Sequence, residues 1–270
     1  MTQHDSVPAE VRQARIRSYL NEHEFVRVSD IAERVEISEV TARTDLTALD
    51  DQGLVRRVHG GAVPRRVHGV ERPFDLAQDD LVAARTHIGS EAASRIRSGD
   101  AILVDVGTTT TALARSLVAR TELTEVSVFT NGLTIALELE AAFPRVNVVV
   151  TGGTLRPMQH SLVNPLGEDL LNGINATIAF IGCNGVDPQG GITNINLPEA
   201  EIKQRMVAAA RKRVVVAEGS KVGVVELARV CSMEDVDELI TDDAADDGEL
   251  EAIRALGVDV TVVPTPQEAR

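Results

Sequence analysis

Apolar residues recur every three to four positions through the first fifty residues, and beyond residue 100 they gather instead in short unbroken runs. The first pattern predicts small amphipathic helices. Val11, Ile16, Tyr19 and Leu20 fit one face of a first helix. Ser29 is placed to cap a second, with Asp30 at the positive end of its dipole and Ile31 and Val35 at i, i+4. Glu36 and Ile37 form a brief connection to Ser38, another capping residue, and a third helix is predicted from there to about Asp51, stopped by Gly53. Its Ala42, Leu46 and Leu49 share an inner face, which leaves Glu39, Thr41, Arg43, Thr44 and Asp45 pointing mostly outward. Residues 54–58 and 62–67 read as two short strands around Gly60-Gly61.

Between 63 and 80 the chain carries Pro64, Gly69 and Pro73 and no sustained period, so a linker is expected there, joining a domain over 1–62 to one over 81–265. The runs that follow are AILVDV (101–106), VSVFT (126–130), VNVVV (146–150), TIAFI (177–181), RVVVA (213–217), ELIT (238–241) and VDVTVV (258–263), alternating with helical stretches. Residues apolar at successive positions suit strands covered on both faces. The expected fold is therefore α/β, an N-terminal winged helix-turn-helix followed by a doubly wound, mainly parallel α/β domain.

Composition narrows the picture without changing it. With 270 residues, 43% hydrophobic and 25% charged, the chain has material for two globular domains. It has no apolar run of the roughly 18 residues a membrane span requires, and its first residues lack the apolar stretch of a secretory signal, so a cytoplasmic protein with no membrane partner is expected. Cys183 and Cys231 lack metal-ligand spacing and read as reduced, buried thiols. No metal or cofactor is implied. Five Phe, one Tyr and no Trp argue against stacking platforms for bases or sugar rings, leaving backbone and small polar side chains to hold any polar ligand.

The net charge of −14 is unevenly spread. Residues 1–66 hold ten Arg against eleven Asp and Glu, whereas residues 52–70 contain Arg56, Arg57, Arg65, Arg66, His59 and His68 and no carboxylate. Joined to a helix-turn-helix, that patch points to double-stranded DNA. Thr41, Arg43 and Thr44 would lie in the major groove to meet base edges, Arg by bridging guanine O6 and N7. Arg56, Arg57 and His59 on the wing would hold phosphates.

In an open parallel sheet, ligands bind outside the carboxyl ends of the strands. Those ends carry Asp105, Gly107 and Thr108 to Thr111; Thr130, Asn131 and Gly132; Thr151, Gly152 and Gly153; Gly182 and Gly185; and Glu218, Gly219, Ser220 and Lys221. Gly-Thr-Thr-Thr-Thr before a helix offers backbone N–H groups at a positive dipole end, a general anion site. Five polar strand ends on one rim favour a small anionic ligand over a purely structural rim. Arg156, His160 and Ser161 in the segment 152–167 are candidates for selecting it.

The run SEVTARTDLTALDDQGLVRRVHGGAV resembles the N-terminal domain of the DeoR family of bacterial transcriptional regulators, through Thr41, Arg43, Asp45, Leu46, Gly53, Leu54, Arg57, His59, Gly60, Gly61 and Ala62. Ala42 departs from the usual Ile and Thr44 from a second Arg. The later motifs fit the same family in order: Asp105-x-Gly107-Thr108-Thr109, Thr130-Asn131, Gly152-Gly153, Phe180 to Gly185, Glu199-Ala200 with Lys203, and Ser220-Lys221. Arg85 and Glu218 stand where the family usually has Lys and Asp. The resemblance implies a sensor domain similar in fold to ribose-5-phosphate isomerase and glucosamine-6-phosphate deaminase, without being an enzyme. It further implies a repressor of a carbohydrate-metabolism operon, a homodimer or homotetramer, relieved or modulated by a phosphorylated sugar. In that picture Lys221 and Thr108 to Thr110 grip a phosphate, with Asp105, Asn131 and Glu199 on sugar hydroxyls. Two alternatives stand beside it: a phosphosugar isomerase or deaminase with an accessory DNA-binding module, and a DNA-binding protein without a ligand.

Overall fold

The computed structural model describes residues 8–21, 25–51, 55–58, 60–64, 71, 73–74 and 82–265, with only the backbone described at 10, 17, 18, 21, 51, 56, 63 and 64. Contacts divide the chain into two units, Met1–Val70 and Glu71–Arg270.

In the first unit, helix α1 spans Ala9–Asn21, β1 Val26–Arg27, α2 Val28–Val35, α3 Glu39–Asp51, β2 Val55–Val58 and β3 Gly61–Pro64. Ile16, Leu20, Ile31, Val35, Ala42, Leu46 and Leu49 are buried together, as their spacing requires. Val11 is not among them and is 46% exposed. Helix α2 begins at Val28, with Arg27 as its N-cap, so Ser29 lies inside the first turn and its hydroxyl donates to Asp30. Glu36 adopts φ 58 to end α2, and Ser38 caps α3 by accepting from the Thr41 N–H at 3.1 Å. The expected stop at Gly53 lies outside the described residues.

Two features depart from the periodic reading. The two-residue strand β1 adds to β3, giving the order β1-β3-β2. Gly61 makes this pairing sterically feasible, because a Cβ there would sit 2.1 Å from the Val26 carbonyl oxygen. Asp45, expected on the outer face, is 2% exposed. Arg12 and Gln13 of α1 reach it, with Arg12 Nη2 at 3.0 Å and Gln13 Nε2 at 3.2 Å from Oδ1. Charge pairing has drawn a carboxylate inward.

The second unit is built on seven parallel strands: β4 Ala101–Val104, β5 Val126–Thr130, β6 Val146–Val150, β9 Ala176–Gly182, β12 Ala210–Val216, β14 Glu238–Asp242 and β15 Asp259–Val263. Each falls on one of the seven apolar runs. Their order is β15-β14-β12-β9-β4-β5-β6, so the chain runs outward from β4 to one edge, returns beside it as β9, and runs to the other. That is a doubly wound sheet whose order reverses between β4 and β9. Helices α4 (Val82–Ala93), α5 (Thr108–Ala119) and α6 (Leu133–Leu139) cover one face, and α7 (Leu166–Asn172), α8 (Leu197–Ala208) and α9 (Asp247–Ala255) the other. Phe180, Ile102 and Leu103 in the central strands are fully buried.

Short antiparallel additions complete the unit. Strands β7 (Thr154–Arg156) and β8 (Ser161–Val163) form a hairpin, and β10 (Gly185–Asp187), β11 (Gly191–Asn194) and β13 (Ala228–Cys231) a three-stranded sheet. Gly153, at φ 122, brings the hairpin's backbone so near β8 that a Cβ would meet the Val163 oxygen at 2.1 Å.

Replacing Asp45 by Ala strands Arg12 and Gln13 against a nearly buried position, and is expected to cost about 2 kcal/mol. Urea unfolding should show this loss in the transition of the first unit, with the transition of the second unmoved.

Candidate functional site

Helix α3 presents its amino-terminal half outward. Arg43 and Thr44 are exposed and Thr41 is half-buried. Arg43 pairs with Glu39 one turn earlier at 2.6 Å, Thr41 shares a hydrogen bond with the Ser38 hydroxyl at 2.8 Å, and Thr44 donates to the Val40 carbonyl at 3.0 Å. Arg57 reaches from β2 to the Thr47 hydroxyl at 2.8 Å, placing a wing cation beside the outer side of α3. The Arg56 side chain and His59 lie outside the described residues.

In the larger unit, the polar residues converge where the sheet order reverses. Asp105 follows β4, is wholly buried, and accepts the Gly182 N–H from the end of β9 at 3.0 Å. Lys203 of α8 ion-pairs with the same carboxylate and donates to the Gly182 carbonyl at 3.0 Å. Burial pushes the Asp105 carboxyl up to about 6 against the pull of Lys203. Burial would lower the Lys203 ammonium, but Asp105 and Glu199 raise it, so it stays charged. Asn131, also wholly buried, accepts the Val106 N–H at 2.9 Å. Asp105 Oδ1 and Asn131 Nδ2 are buried without a hydrogen-bond partner among the described residues. Buried polar atoms without a partner are uncommon, and each calls for an explanation such as an ordered water, an ion or a ligand.

Glu199 lies one helical turn before Lys203 on α8, accepts from the Ser161 hydroxyl at 2.7 Å, and pairs with Arg156. The Asn196 side chain caps this helix by accepting the Glu199 N–H at 3.1 Å.

The threonines, expected before a helix, form the first turn of α5 with Gly107 as its N-cap, and are organised differently. Thr110 and Thr111 donate their hydroxyls back to the Gly107 carbonyl, at 3.0 and 2.7 Å, and Thr109 donates to Glu218 at 3.2 Å. As in any α-helix, the first N–H groups of α5 have no carbonyl partner within the helix. Glu218 is buried between Arg85 at 2.6 Å and Lys221 at 3.2 Å. Burial would raise its carboxyl, yet Lys221 and Arg85 hold it far below the ordinary range. Thr130 accepts the Gly132 N–H, and Gly152 and Gly153 turn the chain from β6 into the hairpin at φ 74 and 122.

The chain matches the DeoR-like helix-turn-helix domain over residues 12–66 and the DeoR C terminal sensor domain over 81–243. This chain belongs to the DeoR family. Similar relatives include the HTH-type transcriptional regulator GlpR of Haloferax volcanii, 34% identical over 94% of this chain and 97% of that one. Others are the HTH-type transcriptional regulator GolR of Listeria innocua, 30% identical over 86% and 89%, and the transcriptional repressor AccR of Agrobacterium fabrum, 31% identical over 86% and 88%. Among solved structures, ribose 5-phosphate isomerase A of Methanocaldococcus jannaschii aligns at 18% identity and a TM-score of 0.38 over 51% of this chain and 52% of that one. The sorbitol operon regulator SorC of Klebsiella pneumoniae aligns at 12% identity and a TM-score of 0.37, over 92% and 100%. The doubly wound class itself rests on the order of the seven strands.

As a DeoR-family member, the chain is a transcriptional regulator with a helix-turn-helix and a sensor domain, and the enzyme alternative is not favoured. Of the rim residues expected from sequence, Asp105 and Asn131 lie on neighbouring strand ends at the reversal, and Glu199 faces the same cluster through Lys203. Lys221 and Thr109 meet instead at Glu218. Lys203, which the sequence marks only through the family motif, is a buried cation of the crevice, and its spacing of four from Glu199 is the signal the sequence offers for it. Cys183 and Cys231 are free and buried, with the Cys183 thiol pushed up to about 11 by burial. Among the described residues no group of His, Cys, Asp and Glu is arranged to hold a metal, and no helix is long and apolar enough to cross a membrane.

Glu218 carries the clearest pH signature. Its folded carboxyl titrates below its unfolded value, so the stabilisation it confers is present above about pH 4.5 and is lost as pH falls toward the folded value. Glu218→Gln, which leaves Arg85 and Lys221 facing a neutral group, is expected to destabilise the sensor by about 3 kcal/mol at pH 7, with the deficit shrinking on acidification. Urea unfolding of both proteins between pH 3 and 7 measures this.

Proposed function

We propose that this regulator represses a carbohydrate-metabolism operon and is relieved or modulated by a phosphorylated sugar held in the crevice where the sheet order reverses. The observation that carries the reading is the pair of buried, unpartnered atoms on adjacent strand ends, the acceptor Asp105 Oδ1 and the donor Asn131 Nδ2, beside charged Lys203 and Glu199. Donors and acceptors at fixed positions suit a ligand with several hydroxyls. Asp105, Asn131 and Glu199 take those hydroxyls. The backbone N–H groups at Gly107 and Thr108 to Thr110, assisted by Lys221, take the phosphate. Gly152 and Gly153, with Thr130, shape the adjoining wall.

On DNA, Thr41, Arg43 and Thr44 read base edges while Arg56, Arg57 and His59 hold phosphates. The functional divisions are a DNA-binding domain over 1–62, a linker over 63–80 and the sensor over 81–265. Two protomers engage two half-sites, as a homodimer or homotetramer, and the ligand alters the geometry between them. The putative aga operon repressor of Escherichia coli O157:H7, 29% identical over 93% of each chain, supports the repressor reading.

Fluorescence anisotropy on the promoter-proximal DNA of the gene, at two salt concentrations and with a panel of phosphosugars, tests the reading. Binding should be selective, weaken steeply with salt, and shift with one phosphosugar. DNA binding unmoved by every phosphosugar would refute the effector assignment, and no DNA binding at any salt would refute the reading-head assignment. Arg43→Ala should cost about tenfold or more on the operator and relax base preference, whereas Arg57→Ala should weaken all sequences alike and lower the salt slope by about 1. Asp105→Asn should abolish the phosphosugar response while leaving ligand-free operator affinity within about twofold, a difference of ~0.4 kcal/mol.

A further inference from the structure

Of the stretch expected to be linker, 63 and 64 belong to β3, and two of the three described residues beyond them are fastened to the sensor. The Phe74 N–H donates to the Met158 carbonyl at 2.8 Å, its side chain is 2% exposed, and its ring centroid lies 5.3 Å from that of His160. The Glu71 carboxylate accepts from Arg156 Nη2 at 2.5 Å. Arg156, Met158 and His160 all belong to the β7–β8 hairpin.

The other side of that hairpin faces the crevice. Arg156 Nη1 pairs with Glu199, Ser161 donates to Glu199, and the Leu162 N–H donates to the Asn131 carbonyl at 2.8 Å. One guanidinium is therefore shared by a carboxylate of the crevice and a carboxylate on the chain entering the sensor. The Arg156 and Glu71 side chains are each 18% exposed, and Glu199 7%. Of the two pairs, the one to Glu71 is nearer water and the easier to open.

We propose that Arg156 is the relay by which occupation of the crevice reaches the DNA-binding unit. A ligand oxygen beside Glu199 accepts from the Arg156 guanidinium and draws it inward, Glu71 loses its partner, and the anchor at Glu71 and Phe74 loosens. Six residues, 65–70, separate the end of β3 from Glu71, so this anchor lies a short covalent distance from the reading head. Arg156 acts here as a positioning residue. The proposal rests on the reading of the crevice as a phosphosugar site.

Linkage makes it testable, because if ligand binding opens the Arg156–Glu71 pair, removing that pair must tighten ligand binding. The full-length protein and Glu71→Gln are titrated calorimetrically with ribose 5-phosphate, glucosamine 6-phosphate and a wider phosphosugar panel, and amide exchange is followed at Phe74. The expected result is a sugar that binds the wild type and speeds Phe74 exchange. Glu71→Gln should bind that sugar about fivefold tighter, the ratio matching one partly exposed ion pair, and exchange fast at Phe74 with or without it. Equal affinity in both proteins, with Phe74 exchange indifferent to bound sugar, overturns the relay and leaves the effector reading standing. A wild type that binds none of the sugars overturns the effector reading and the relay with it.

Discussion

The sensor is organised around one buried ion pair, Asp105 with Lys203. Asp105 sits at the end of β4 and Lys203 on α8, and both meet the backbone of Gly182 at the end of β9. These three elements border the reversal of the sheet, where two neighbouring strands lead away in opposite directions and leave a crevice between their ends. A pair of charges this deep adds little net stability, since desolvation consumes most of the Coulombic gain. Its consequence is positional. Oδ2 is fully engaged by Lys203 and Gly182, so Oδ1 is left buried and unsatisfied.

The same logic of local compensation bears on how an acidic domain would hold the proposed phosphorylated ligand. The larger unit carries nearly all of the chain's negative charge, but three buried carboxylates around the crevice are each paired with a cation. Asp105 faces Lys203, Glu218 faces Arg85 and Lys221, and Glu199 faces Arg156. Surface carboxylates farther away are screened within roughly 8–10 Å. An anion at the start of α5 thus meets carboxylates already paired with cations, and the dipole of a twelve-residue helix favours it.

Legibility followed the range of the interaction. The seven parallel strands were readable because each lies on a Val- and Ile-rich run, nearly unbroken in the covered central strands β4 and β9 and interrupted by Asn147 and Asp259 on the half-exposed edge strands β6 and β15. The helix-turn-helix was readable because Ile31, Val35, Ala42, Leu46 and Leu49 repeat at helical spacing. Strands β1, β7 and β8 were not, since two or three residues carry no period and pairing partners far along the chain decide their conformation. Asp45 was misplaced for a related reason. Its inward turn depends on Arg12, thirty-three residues away. In the site, residue types at the strand ends named Asp105 and Asn131, but nothing local could show that Glu218, 133 residues from Arg85, would claim Thr109 and Lys221.

That last pairing changes what the threonines contribute. A run of four hydroxyls before a helix invites the view that hydroxyls grip the phosphate, yet three of them are committed within the protein, two to the Gly107 carbonyl and one to Glu218. Their bonds tie the first turn of α5 to Gly107 and Glu218. In the proposed reading, recognition divides by chemistry: backbone N–H groups, indifferent to the rest of the ligand, take the charged end common to all sugar phosphates. The fixed donor and acceptor of Asn131 and Asp105 meet the hydroxyls that differ between one sugar and another. Discrimination by buried polar groups is steep, because a sugar lacking the matching hydroxyl leaves them unpaired. On the proposed reading, specificity resides at the strand ends of Asp105 and Asn131, and the first turn of α5 supplies affinity.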